Sequence, residues 1–517
     1  MGTIPDKTDM KPGAGTEKDA SISDGIALEI ASGVAGGKQD KALALLADGS
    51  AHFDPDSPEA KGVLRKIDTR IMPMILVVYI LMLVDKNSLS YAKIMNIQEE
   101  ASLTASEYSW LGSVVYFGYL AGEIPVTYLM QRVPLAKFFS VMVITWGAVM
   151  MFHGACKNFA SLMVVRFILG ALEVCAAPVI IYILGSWYNK KEQVSRVAIW
   201  YTSSGWAHVF GGFFAWCIYH APSFRWQALF IFEGGVTVLV GIFLWFFLAG
   251  SPTDAGWLSD EEKRIALERC RSNKTGTEVW KFNKAQLVEA FCDPRFYLIF
   301  LMLVSTGLPN GGLTVFGPSI ISAFGFTSEH TTLLSMAPGI AAVVGSLVAL
   351  IVAKYTNRTI AGMYTLMLSC IGTVMMLAIP PEQHLARYGG YILTLQFPVS
   401  VLFIITFMTA GVGGSTKKLA FGAAYQIGYT VGNIIGPQTY RQSDAPDYYT
   451  AKYTMLAFLV LCLFLVGAIG SLHWYWNRKR DRQDALDAQN GVFYETTENE
   501  EFADLTDFQV RSFRYPI

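Results

Sequence analysis

From Ile71 to about Trp476, polar residues interrupt long apolar runs instead of alternating with them. A window of about 19 residues isolates about twelve such runs, each long enough to cross a ~30 Å hydrocarbon core as a helix. They begin near Ile71, Tyr108, Phe138, Ala160, Val197, Ala228, Phe296, Thr331, Ile360, Tyr391, Lys418 and Tyr453. Several hold Gly or Pro, as at Pro309 to Gly312, Gly317 with Pro318, and Gly436 with Pro437. Helices in a bilayer tolerate these where neighbours resatisfy the backbone. The predicted fold is therefore an all-α membrane protein with twelve transmembrane helices in two six-helix bundles, residues 63–250 and 295–477.

The intervening stretches are polar. Residues 1–62 are small and charged with few aromatics, a composition that cannot bury enough surface to fold alone, and they are expected to form a disordered cytoplasmic tail. The stretch 251–294 contains LSDEEKRIALERCRSN, where Ser259 and Glu262 have the spacing of a capping box and predict a short amphipathic linker helix. Residues 478–517 are acidic and are expected to form a second disordered tail. Six spans, a linker and six spans is the pattern of two parallel halves around a central cavity.

Composition adds direction. The chain has 517 residues, 53% hydrophobic and only 16% charged, far too apolar for a soluble protein of this size. Its net charge of -1 points to no nucleic-acid partner. Lys and Arg gather in alternate loops, at Arg65, Lys66, Arg132, Lys137, Lys190, Lys191, Arg196, Lys354, Arg358, Lys417, Lys418 and Arg478 to Arg482. Placing both termini in the cytoplasm puts about four times as many basic residues inside as outside. The sequons at Asn273 and Asn357 then face the cytoplasm and escape glycosylation. The seven Cys show no close pairs in exterior loops, so free thiols are expected. There is no cleavable signal, phosphate-binding loop, dinucleotide fingerprint, metal-ligand spacing or nucleophile elbow, so neither enzyme chemistry, a cofactor nor a metal is expected.

Candidate chemistry lies in the few ionisable residues inside the spans: Asp85, Lys86, Glu123, Arg166, Glu173, His208 and Glu233. On insertion scales each costs ~2.5 to 3.5 kcal/mol. Arg166 and Glu173 stand seven residues apart, about 10.5 Å along one helix face, too far to satisfy each other directly. Asp85 is the carboxylate available to Arg166 at comparable depth, and Gly170 between the two leaves room for a neighbouring helix or a ligand. A polar lining of a water-reachable cavity is expected. There a carboxylate substrate competes with Asp85 for Arg166 and Lys86 while a proton neutralises Asp85. A buried pair that merely fixes helix packing is the bland alternative. Glu233 is read as structural, facing Arg225 near the outer surface, and His208 as a satisfied histidine. Tyr119, Asn310, Gln396, Tyr425, Gln426 and Asn433 offer uncharged cavity contacts, while Trp187, Tyr188, Trp474 and Trp476 read as interfacial belts.

The segments VDKNSLSYAKI, YSWLGSVVYFGYLAGEIPVTYLMQRVPLAKF, VRFILGALEV, PNGGLTVFGPSII and TKKLAFGAAYQIGYTVGNIIGPQTYRQSDAPDY resemble the major facilitator superfamily. Within it they resemble the anion:cation symporters, and most of all the allantoate permease branch with its thiamine-pathway and cysteine transporters. The resemblance covers about Arg65 to Arg482. It implies proton-coupling roles for Asp85 and Glu173, a pairing of Arg166 with Asp85, a substrate-carboxylate contact at Lys86 and a cavity role for Tyr119. Lys86 departs from the commoner Arg and offers a point charge in place of a planar fork. The expected activity is import of a small organic anion by proton symport through alternating access, at the plasma membrane and as a functional monomer. Efflux by the same fold and a transporter-like nutrient sensor are the alternatives.

Overall fold

The computed structural model describes residues 57–223, 225–271, 282–490 and 504–517, and all regular structure among them is helical. The first six spans are α1 (Pro58–Ile94), α2 (Ala105–Arg132), α3 (Leu135–Phe152), α4 with α5 (Phe159–Glu173, Ala176–Trp187), α6 with α7 (Lys190–Tyr201, Ser203–Tyr219) and α8 (Arg225–Phe247). Linker helices α9 (Asp260–Arg271) and α10 (Lys284–Cys292) follow. The second six are α11 (Pro294–Ala323), α12 with α13 (Ser328–Leu334, Ala337–Tyr355), α14 (Arg358–Ala378), α15 with α16 (His384–Thr394, Phe397–Gly411), α17 (Ser415–Gln438) and α18 (Tyr449–Gln489). Nine of these spans are long and apolar enough to cross a membrane on that ground alone. The other three, α2, α6 with α7, and α17, carry more polar side chains and contribute to the seam between the halves.

Three of the four spans that break do so beside a proline, the exception being the fifth, which is interrupted at Thr202. Pro178, Pro338 and Pro398 follow the interruptions of the fourth, eighth and tenth spans. Proline has no N–H to give the carbonyl four residues back, so the helix restarts with a bend. The breaks in the fourth spans of the two halves fall directly after Glu173 and at Gln396, which sets a polar residue at the same bend in each half.

Glycines let paired helices approach closely. In α11 and α17, Gly307 and Gly311 face Gly432 and Gly436, and a Cβ on Gly436 would lie 2.3 Å from Leu308 O. A Cβ on Gly170 would lie 2.1 Å from Val115 O, so the space that this glycine leaves is filled by the backbone of α2. Equivalent helices pair in both halves: α1 with α7 as α11 with α17, and α3 with α8 as α14 with α18. The halves meet where α2 packs on α17, α7 on α13 and α1 on α11.

At the end that bears α9 and α10, called here the linker end, several expectations change. Ser57 Oγ accepts from Ala60 N and Pro58 opens the helix, so α1 starts inside the stretch expected to be disordered. Residues 1–56 lie outside the described ones. Lys66 bonds Glu262 at 2.8 Å and Arg196 bonds Asp68 at 2.6 Å, which anchors α1 in its third turn. The Ser259 and Glu262 capping box is present, with Glu262 N 3.2 Å from Ser259 Oγ. Sequon Asn357 caps α14, whereas Asn273 lies outside the described residues.

The acidic tail is corrected more strongly. Its first residues continue α18 to Gln489, and residues 504–517 fold back against the second half. Asp507 is fully buried and pairs with Arg295 at 2.5 Å and Lys417 at 3.0 Å, while Asp293 also joins both cations. Burial pushes the Asp507 carboxyl up, but Arg295 and Lys417 outweigh it and hold the group below the usual carboxylate range. Trp187 and Tyr188 are buried and not interfacial, with Trp187 stacked on Trp257, and Trp476 packs on Tyr515. All seven cysteines are free, as expected.

Candidate functional site

The site begins in the C-terminal half of α1, where six consecutive buried residues, Asn87 to Ala92, leave this helix no lipid-facing side. Asp85 is fully buried, and neither carboxylate oxygen has a hydrogen-bond partner. Its charged neighbours are Glu233, Glu173 and Arg166, with the Trp146 indole beside it. Arg166 on α4 is also buried, and its Nε and one terminal nitrogen are unpartnered. Among the described residues no ion pair within 4.0 Å joins Asp85 to Arg166. The expected direct pair is therefore absent in this conformation, and the two groups share a field without contact. Burying two unpaired charges this way costs several kcal/mol.

Glu173 is handled differently. Tyr119 Oη donates to its Oε2 at 2.9 Å, and Lys86 Nζ lies 4.7 Å from the centroid of the Tyr119 ring. Tyr116 stacks on Tyr119 with centroids 5.9 Å apart. α1, α2 and α4 thus bring Lys86, Tyr119 and Glu173 into one closed cluster, with Arg166 two turns away on the α4 face that carries Glu173. The cluster is packed by its own side chains, which departs from the open polar cavity expected there.

Glu233 does not face Arg225. Arg225 donates to Ala221 O and stacks over Tyr219, far from the role assigned to it. Glu233 is instead buried in α8, takes a short hydrogen bond from Ser88 Oγ, and neighbours Asp85. The sequence signal was available: Ser88 lies three residues from Asp85 on the same face of α1.

The second half contributes an uncharged wall. Asn310 Nδ2 donates to Asn433 Oδ1 at 2.8 Å, and Asn433 Nδ2 donates to Tyr429 O. Asn433 is fully buried with both amide ends engaged, so it clamps α11 to α17. Tyr429 sits beside both amides and within electrostatic reach of Tyr79, Tyr116 and Tyr201 across the seam. Tyr425 stacks on Tyr429 at 6.4 Å. Sequence reasoning passed over Tyr79, Tyr116 and Tyr429, since isolated tyrosines at helical spacing read as packing. Gln396 lies apart from this wall: it donates to Ala341 O, its Oε1 is buried and unpartnered, and it borders a cavity of about 430 Å³ among α13, α14, α15 and the start of α16. A second cavity of about 40 Å³ lies on the seam, beside Tyr201 and His208. His208 is satisfied by Ser204 O at 2.9 Å.

Apart from Tyr201 Oη, which donates to Pro398 O at 2.6 Å beside the span breaks, hydrogen bonds across the seam gather at the end opposite the linker, the far end. Tyr108 Oη lies 3.1 Å from Val315 O, Ser113 Oγ donates to Ile434 O at 2.8 Å, and Gln438 Nε2 donates to Ser113 Oγ at 3.0 Å. His220 pairs with Glu329 at 3.4 Å nearby.

Residues 75–437 match the family model of the Major Facilitator Superfamily. The allantoate permease of Saccharomyces cerevisiae is 31% identical over 89% of this chain and 87% of its own length. The thiamine pathway transporter THI73 of the same yeast is 32% identical over 91% and 89%, and the MFS-type transporter cnsL of Penicillium expansum is 30% identical over 92% of each chain. Among solved structures, a bacterial homologue of the human lysosomal transporter Spinster, inward-facing and unoccupied, superposes with a TM-score of 0.60 at 16% identity. It covers 80% of this chain and 96% of that one. A D-xylose-proton symporter gives a TM-score of 0.60 at 11% identity, covering 77% and 96%.

Proposed function

This chain belongs to the major facilitator superfamily and is a multi-pass membrane transporter, and from that premise we propose that it imports a small organic anion together with protons. The observation that carries the reading is the buried, unpartnered state of Asp85 and Arg166 on facing helices. A guanidinium with unused donors in a low-dielectric site is a ready partner for a carboxylate. A buried carboxylate with no donor at hydrogen-bond distance, the Trp146 indole being its nearest, is relieved of its charge by a proton. Asp85 and Arg166 each compensate the other's charge, so an anion that takes up Arg166 makes protonation of Asp85 more favourable, and a protonated Asp85 frees Arg166 for the anion.

Lys86 and Tyr119 deliver the anion's second contact. Lys86 now lies over the Tyr119 ring and holds Glu173 in reach through that tyrosine. Swinging its ammonium from ring to cargo carboxylate loosens the hold on Glu173, which takes up the second proton. Tyr425 and Asn310 close the site from the second half, in support of an amide-bearing or otherwise polar cargo such as the one named in the allantoate permease. Gln396 and Asn433 act through helix packing.

Alternating access follows from the two halves rocking about this site. With the linker end in the cytoplasm of a cell whose plasma membrane holds the protein, the contacts across the far end close the route from outside. The experiment is uptake of radiolabelled allantoate into vesicles under an inward proton gradient, set against a Glu173→Gln variant. The variant is expected to exchange anion without accumulating it, and unchanged uphill uptake would remove Glu173 from the coupling role.

A further inference from the structure

Lys93, in the last turn of α1, has a surrounding that neither packing nor the central site explains. Its ammonium lies 4.0 Å from the ring centroid of Phe316, 4.8 Å from that of Tyr108 and 5.5 Å from that of Tyr448. Among the described residues the one hydrogen-bond partner of its ammonium is Tyr448 Oη at 3.4 Å. Among the described residues no carboxylate stands within 4.0 Å of it. The acid next in sequence to Tyr448, Asp447, is held by Arg387 at 2.6 Å and Lys452 at 3.8 Å. Lys93 and Tyr108 belong to the first half, Phe316 and Tyr448 to the second, and Tyr440 stacks on Phe316 to back the cage. The cage therefore bridges the seam at its far end.

A cation held by ring faces and one long phenol hydrogen bond, with no carboxylate beside it, is an exchangeable arrangement. Separating the far ends takes Phe316 and Tyr448 away and leaves an ammonium without a counterion at the mouth of the route to Arg166. We propose that Lys93 is a bolt with two partners: ring faces of the second half when the far side is closed, and the incoming organic anion when it is open. This rests on the anion-import reading. The bolt predicts that ring and anion compete for one ammonium, so the residue sets both how often the far side opens and how well anion is captured from that side.

The test uses the full chain with Val315→Cys, a seam position opposite Gly112, reconstituted in vesicles and labelled from the far side with an impermeant maleimide. Labelling is taken above that of the chain without the substitution. Lys93→Met is expected to label several-fold faster, Phe316→Leu likewise, and the double variant no faster than either alone, because both remove one interaction. Lys93→Arg, which also stacks on rings, is expected to stay within about twofold of the parent. With allantoate as probe, Lys93→Met is expected to raise the far-side half-saturation concentration about tenfold and leave that from the linker side unchanged; the unchanged linker-side value shows a folded protein. Labelling at the parental rate in Lys93→Met, additive labelling in the double variant, or an unchanged far-side half-saturation would each overturn the proposal. If the parent moves no allantoate, the import reading fails for that cargo while the labelling comparison still decides the bolt.

Discussion

Tyr119 and Glu173, 54 residues apart in sequence, are joined by a 2.9 Å hydrogen bond from the phenol to a buried carboxylate, under an ammonium that lies on the same phenol ring. One side chain therefore ties the candidate cargo contact, Lys86, to the candidate proton site. Tyr119→Phe keeps the ring beneath Lys86 and removes the bond. A hydrogen bond to a charged group is worth about 1.5 to 3 kcal/mol. The variant is expected to lose roughly tenfold or more of its uptake rate per unit anion, measured as initial rates across a concentration series, while Tyr119→Leu, which also removes the ring, loses more.

Arg166→Lys tests the planar fork. If two unused guanidinium donors meet a carboxylate side by side, a point charge cannot replace them. Uptake is expected to fall about 100-fold, with the protein still folded by its melting profile. Near-parental uptake would mean that Arg166 serves packing.

Helix approach through glycine gives a stability prediction. Gly436→Ala puts a Cβ 2.3 Å from Leu308 O, so α11 and α17 must separate. Overpacking of this kind costs about 1 to 3 kcal/mol. Thermal melting of the purified chain is expected to shift down by about 1 to 3 °C, whereas Gly422→Ala, with nothing within 4 Å, leaves it unchanged or raises it slightly.

The buried acid of the C-terminal segment gives a pH prediction. The folded state holds Asp507 below the ordinary carboxylate range, so the stability it contributes is complete above the unfolded value near ~3.9 and is lost as pH falls through the lower folded value. Protease protection of residues 504–517 is expected to be flat from about pH 8 to pH 5 and to fall only below about pH 4. Asp507→Asn leaves Arg295 and Lys417 with less compensation, and protection of the segment is expected to fall at every pH.

How much was legible in the sequence follows from which forces act locally. Lipid demands long apolar runs, so the spans could be read directly, and the Ser259 and Glu262 box could be read because both partners lie within one helical turn. Asp85, Lys86, Arg166 and Glu173 stood out because charges in spans are costly. Their pairing was not legible: charge matching joined Asp85 to Arg166, whereas the fold ties Glu173 to Tyr119 and sets Asp85 beside Glu233. The acidic tail looked unable to fold because its composition says nothing of Arg295 and Lys417, which lie 212 and 90 residues from Asp507. Tyr429 was missed for the same reason, since its meaning comes from the facing half.

In the proposed function anion and proton move together through the site of Asp85, Arg166 and Glu173. Its most direct test is simultaneous measurement, in vesicles, of labelled allantoate entry and proton entry with no imposed gradient other than the anion's own. Anion-driven proton entry that rises with allantoate and vanishes in Asp85→Asn is the result predicted here. Anion entry of undiminished rate without any accompanying proton entry would mean that this site does not couple the two.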